Sequence, residues 1–256
     1  MYNTIILEKR TGYAVVTMNR PREMNALCRE MRRELHKALD DLEDDDTVKV
    51  LIITGGDYVF SAGMDIKEMA ALADDEIGEY FDSILKYLRK IYTYGKPVIA
   101  AVGGIALGGG FNIATVCDLI IASESAIFGH PELKFGLNPL FSPLRNLVGM
   151  AKAKEISMLG EPIGAREALR IGLVNKVATP ERLMAEAAAM AEGLAERSGQ
   201  AISSVKKISV MTEKLDKKSA LEMEFEVMVH LFSSAERKIR MTEFMTREYL
   251  SKMKKG

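Results

Sequence analysis

The stretch "AVGGIALGGGFNIATVCDLIIAS", residues 101–123, decides how this chain folds. It reads as an apolar run, three glycines, a short helical segment and a second apolar run. Strands buried on both faces are nearly continuous in apolar residues, and a helix between two such strands is the βαβ unit of an α/β fold. Gly108, Gly109 and Gly110 stand where that helix begins. The first N–H groups of a helix lack intrahelical partners, and bare glycines let an acceptor come against them. Close helix–strand packing is the competing reason for such a run. It is not a nucleotide-phosphate loop: no G-x-x-x-x-G-K-[ST] is present, and Ile113 stands where G-x-G-x-x-G needs its third glycine. Asn112, two residues past the run, is an amide that hydrogen-bonds but does not titrate near neutrality.

Working outward, "VKVLIITGG" (48–56) and "KPVIAAVGGIAL" (96–107) read as buried strands, and "DLIIAS" (118–123) as a third. Residues 4–9 and 13–18 form short strands around Gly12, and helical spacing runs over 26–43, 65–72 and 76–94. Past about residue 150 the pattern is helical throughout: 151–159, 165–171, 180–197, then one long stretch from 199 onward. These patterns predict a core domain over 1–195 and a helical region over 196–256. In the latter, Leu221, Phe225, Met228, Val229, Phe232 and Ile239 fall near i, i+3, i+4, a stripe suited to a core or a subunit interface.

The whole chain is 256 residues, 48% hydrophobic and 28% charged, enough for a large globular core. Its 35 basic and 36 acidic residues give a net charge of −1, which argues against nucleic acid or an anionic membrane as a partner. Cys28 and Cys117 lie far apart with no metal-ligand spacing, so buried thiols in a reducing cytoplasm are expected, and no metal. The N-terminus lacks the pattern of a secretory signal, so the mature chain is expected to begin at Met1. No apolar run reaches the length of a membrane span.

A second helix start follows "YVFSAGM". Gly63 permits a tight turn there, and Asp65 with Glu68 has the spacing of a capping box. Two helix starts whose amides converge could bind an oxyanion.

"NRPREMNAL" (19–27), "VFSAGMDIKEM" (59–69), residues 101–137 through "FGHPELKFGL", and "AREALRIGLVNKV" (165–177) occur in order. Together they resemble the enoyl-CoA hydratase/isomerase family, the crotonases, over roughly residues 3–200. The resemblance implies an α/β crotonase (ClpP-like) spiral of β-β-α units, with a C-terminal helical region that joins protomers into a homotrimer or a dimer of trimers. It implies an acyl-CoA substrate in fatty-acid or other acyl-CoA breakdown, with coenzyme A as part of the substrate and no separate cofactor. By the same resemblance the Met64 and Gly109 amides form an oxyanion hole. Ala62, Asp65, Ile66 and Lys67, with Arg22 to Ala26, then lie along the CoA moiety.

Hydratases of that family use two glutamates. Here the first position holds Asn112 and the second holds Glu132. A single carboxylate suits double-bond isomerisation, since one group can take a proton from C2 and return it to C4. A hydratase in which Glu132 works alone and Asn112 positions the water stays open. Decarboxylation, thioester hydrolysis, or binding of acyl-CoA or RNA without turnover also stay open. His130 is a further candidate, as a second base, a hydrogen-bond partner or a structural residue. "LFSPLRNL" (140–147) replaces the glycine-rich segment of many family members, so acyl-chain preference does not carry over.

Overall fold

A computed structural model describes residues 2–212 and 215–253, the side chains of 248–253 excepted. The chain divides into two units, Met1–Glu196 and Arg197–Gly256.

In the first unit, strands Ile5–Arg10 (β1) and Gly12–Met18 (β2) pair antiparallel, and Arg29–Glu43 forms helix α1. A repeated unit follows, in which one strand enters each of two sheets before the chain turns into a helix. Val48–Thr54 (β3) and Val59–Ser61 (β4) precede helices Ile66–Ala70 (α2) and Ile77–Tyr92 (α3). Val98–Val102 (β5) and Ile105–Leu107 (β6) precede Gly109–Val116 (α4). Leu119–Ser123 (β7) and Ile127–Gly129 (β8) precede a short 3-10 turn, Glu132–Phe135, and Phe141–Leu159 (α5). Ile163–Gly164 (β9), Ala165–Arg170 (α6), Lys176–Ala178 (β10) and Leu183–Ala195 (α7) complete the unit. The sheets run β1-β2-β3-β5-β7-β10 and β4-β6-β8-β9, parallel except for β1 against β2 and β9 against β8. This is the expected crotonase spiral of β-β-α units.

The larger sheet is covered on both faces, which is why its strands are continuous in apolar residues. Val16, Leu51 and Ile53 face one cluster with Leu35, Leu39 and Leu42 of α1. Val15, Val50 and Ile52 face the other, with Leu183, Ala187 and Ala191 of α7. Each fully buried Leu or Ile contributes roughly 1.5–3 kcal/mol from removal of apolar surface.

Three expectations are corrected. Residues 96–107 are two strands in different sheets, because the chain bends where Gly103 and Gly104 press on the backbone of residues 56–58. A β-carbon at Gly104 would stand 1.9 Å from Tyr58 O. The region past 150 is not helical throughout, since β9 and β10 are strands of two and three residues defined by pairing to β8 and β7. The segment before it carries helix as well, α5 starting at Phe141 and breaking at Gly149, where φ is +77°. From 199 onward the described residues form Gly199–Met211 (α8), Lys217–Phe232 (α9) and Ala235–Met253 (α10) rather than one helix. Ser198 and Asp216 cap α8 and α9 through side-chain oxygens, which fixes where each helix begins.

In this second unit the apolar stripe is more than half exposed at all six positions singled out from the sequence. The final basic stretch, "SKMKKG" (251–256), reads from its sequence as a solvated tail in preference to a phosphate contact, and its side chains lie outside the described residues. No helix among the described residues is long and apolar enough to cross a membrane.

Candidate functional site

Two chain segments that are 45 residues apart in sequence meet at Met64 and Gly109. Gly63 adopts φ +104°, closed to most residues, and a β-carbon there would lie 2.9 Å from Leu107 O and 3.1 Å from Gly109 N. The Met64 side chain in turn lies against Gly109, its sulfur 3.1 Å from where a β-carbon would sit. Gly110 is needed for packing, since a β-carbon there would stand 2.2 Å from Ser61 O. The glycine run therefore serves both purposes that its sequence allows: Gly110 admits the neighbouring strand, and Gly109, closely packed by Leu27 and Met64, starts the helix with its backbone N–H. Neither the Met64 nor the Gly109 N–H has a hydrogen-bond partner among the described residues. Unpaired donors on a helix start and an adjacent turn are suited to an anionic or carbonyl oxygen.

Buried polar contacts hold the 62–65 turn in place. Asn25, buried at φ +51°, donates to Gly55 O, Val59 O and Phe60 O and accepts from Arg20 N–H. Leu27 N–H donates to Gly63 O at 2.9 Å, and Ala62 N–H to Met24 O at 3.0 Å. Asp65 caps α2 by accepting from Lys67 and Glu68 N–H, and Arg20 Nη1 reaches its other oxygen at 3.1 Å. Burial alone would raise the Asp65 carboxyl. The Arg20 guanidinium and the two N–H groups outweigh it and hold the group below the usual carboxylate range.

Only half of the expected capping box forms. Glu68 turns away to accept from Arg29 N–H and from Arg32, whose guanidinium is 1% exposed. Arg32 also donates to Leu27 O and Ser83 Oγ and lies over the Tyr80 ring, so it ties α1 to α2 and α3.

Arg22 and Lys67 are exposed, Ile66 is exposed, and Ala26 and Ala62 are partly buried along the same segments. These positions run in one band from the 3-10 turn Pro21–Glu23 through the bridge between Leu27 and Met64 into α2.

Glu132 follows Pro131 at the start of its 3-10 turn, which Gly136 closes in the left-handed conformation. Its carboxyl lies beside the glycine run, with Oε1 3.4 Å from where a β-carbon of Gly108 would be. Oε2 is buried without a hydrogen-bond partner. Burial raises this carboxyl above the usual carboxylate range, only partly offset by its own backbone N–H. A carboxyl so placed is poised to take and return protons.

Asn112 lies one turn into α4, its N–H donating to Gly108 O at 2.9 Å. Its Oδ1 lies 3.1 Å from His130 Nε2, and His130 Nδ1 lies 3.2 Å from Ser157 Oγ. His130 is fully buried, and burial pushes its pKa down to about 4, so the imidazole is neutral at pH 7. The fold thus places Met64, Gly109, Glu132 and Asn112, all singled out in the sequence, around the one glycine run. It adds Asn25, Arg20, Arg32 and Ser157, for which residue spacing carried no signal; of these, Arg20 and Asn25 stood inside the motif "NRPREMNAL" already noted.

The family model described as enoyl-CoA hydratase/isomerase matches residues 8–252 of this chain. A short-chain-enoyl-CoA hydratase of Clostridium acetobutylicum is 39% identical, with 98% of each chain covered. A crotonyl-CoA hydratase of Syntrophomonas wolfei is 40% identical over 95% of each. The crystal structure of an enoyl-CoA hydratase from Bacillus anthracis superposes with a TM-score of 0.92 at 29% identity, covering 96% of this chain and 97% of that one.

Proposed function

The chain belongs to the enoyl-CoA hydratase/isomerase family, and from that premise we propose that it moves the double bond of an enoyl-CoA from the 3- to the 2-position. Glu132 is the acid/base, and the Met64 and Gly109 N–H groups bind the thioester oxygen. Glu132 takes a proton from C2, the electron pair delocalises onto that oxygen, and the two donors stabilise the resulting dienolate. The protonated Glu132 then gives the same proton to C4. Each oxyanion donor is worth about 10²–10³ in rate in enzymes of this kind, and a placed acid/base about 10²–10⁴.

One observation carries the reading: Glu132 is accompanied by an amide rather than by a second carboxylate. Asn112 does not titrate, and the imidazole bonded to it, with a pKa of about 4, is too weak a base to serve at neutral pH. Glu132→Gln tests it. The variant should lose at least about 10²-fold in kcat on a 3-enoyl-CoA, and full activity would remove Glu132 from the mechanism.

The CoA moiety of the substrate, the enzyme's small-molecule partner, runs along Arg22, Ala26, Ala62, Met64, Asp65, Ile66 and Lys67. The exposed cations Arg22 and Lys67 suit its phosphates. The exposed apolar stripe of α9 and α10 suits an interface in a homotrimer or dimer of trimers acting in cytoplasmic acyl-CoA breakdown. A second reading, hydration with Asn112 holding the water, draws support from the hydratase names of the relatives at 39% and 40% identity.

A further inference from the structure

The contacts around Asn112 can be ordered by counting protons. A serine hydroxyl carries one, a neutral imidazole carries one on either nitrogen, and an amide carries two on its nitrogen. Ser157 is 4% exposed and its Oγ bonds to no described group other than His130 Nδ1. Its proton therefore has an acceptor only if Nδ1 is the bare nitrogen. The imidazole proton then sits on Nε2 and must be donated to an oxygen, which turns Asn112 Oδ1 toward His130 and Nδ2 away from it. In the reverse order, with the amide donating to Nε2 and Nδ1–H to Ser157, the Ser157 proton is stranded in the interior. Buried donors without acceptors are costly and rare.

Asn112 Nδ2 has no partner among the described residues. Asn112 is anchored to Gly108, the residue against which the Glu132 carboxyl rests. Two groups of opposite character therefore flank the glycine run: a carboxyl that exchanges protons and an amide edge that only donates hydrogen bonds.

We propose that Ser157 and His130 are positioning residues that hold the Asn112 amide with its N–H edge toward the acyl group, so that Asn112 selects thioesters whose acyl chain carries an acceptor oxygen. The selectivity rests on the reading of this pocket as an acyl-CoA site, whereas the proton order of the chain does not. A carbonyl or hydroxyl oxygen satisfies Nδ2, while a plain hydrocarbon chain displaces water from the donor and leaves it unpaired. Sites built to hydrogen-bond a substrate discriminate strongly against analogues lacking the bonding group.

Two measurements test this on the full chain. With ¹⁵N-histidine incorporated, long-range ¹H–¹⁵N spectra at pH 7 should place His130 Nδ1 in the range of a bare nitrogen and Nε2 in that of a protonated one. The opposite tautomer would overturn the proposal. Calorimetric binding of 3-oxohexanoyl-CoA, 4-oxohexanoyl-CoA and hexanoyl-CoA should show at least one oxo ligand bound about tenfold more tightly than hexanoyl-CoA. That preference should vanish in Asn112→Leu, fall in Ser157→Ala and persist in Glu132→Gln. Equal affinities would overturn the selectivity alone, and a preference untouched by Ser157→Ala would overturn the positioning role of Ser157. Failure of all three ligands to bind would overturn the acyl-CoA reading and the selectivity with it, leaving the tautomer result to stand by itself.

Discussion

Lowering the pH from 7 to 4.5 tests the burial of His130 through its effect on stability. Burial depresses the native pKa to about 4 from the ordinary 6.5. Between those values the unfolded chain binds a proton that the native chain excludes, so stability is full above pH 6.5 and is lost as the pH falls toward 4. Integrating the linkage between those two values gives about 2.5 kcal/mol lost between pH 7 and pH 4.5 from this one imidazole. Carboxylates titrate over the same range, so the comparison is with His130→Gln, which keeps a hydrogen-bonding amide but has nothing to titrate. Urea denaturation at pH 7, 6, 5 and 4.5, followed by circular dichroism, should show wild-type stability falling more steeply than that of the variant by about this amount. Parallel pH profiles would refute the assignment of a buried, neutral His130.

Other perturbations follow from the same geometry. Glu132→Gln should raise thermal stability while abolishing activity, because it removes a carboxyl whose ionised form is disfavoured by burial; a gain of about 1 kcal/mol is expected, and unchanged or lower stability would count against that burial cost. The same raised pKa means that activity should climb with pH through a value above the usual carboxylate range and be lost on acidification, as a kcat profile would show. Gly110→Ala should cost about 1–3 kcal/mol through overpacking against the strand, where a β-carbon meets Ser61 O at 2.2 Å, measured by urea unfolding. Arg32→Met should cost about 3 kcal/mol, since it leaves Glu68 and Leu27 O without their buried partner; a variant of unchanged stability would show the network to be dispensable.

The strands of the larger sheet were legible because burial on both faces leaves an unbroken apolar run, as in 48–54 and 98–102. The strands of the smaller sheet were not, since β4, β6 and β8 have three residues each and are defined by pairing with one another. Gly103 and Gly104 looked like an interruption within one strand because the neighbour that requires them lies near residue 58. At the site, Met64, Gly109, Asn112 and Glu132 stood out through motifs. Their supports did not. Asn25 reaches carbonyls at 55, 59 and 60, and the His130 partners stand 18 and 27 residues away, separations at which no local pattern signals a contact. Asp65 and Glu68 have capping-box spacing, but the spacing could not reveal that a buried arginine would claim the glutamate.

The most direct test of the central claim is a side-by-side assay of purified wild type and Asn112→Glu on trans-3-hexenoyl-CoA and crotonyl-CoA. The account predicts that the wild type shifts the 3-enoyl bond and hydrates crotonyl-CoA poorly, and that the variant gains hydration. Efficient hydration of crotonyl-CoA by the wild type, with no isomerisation of the 3-enoyl substrate, would contradict it.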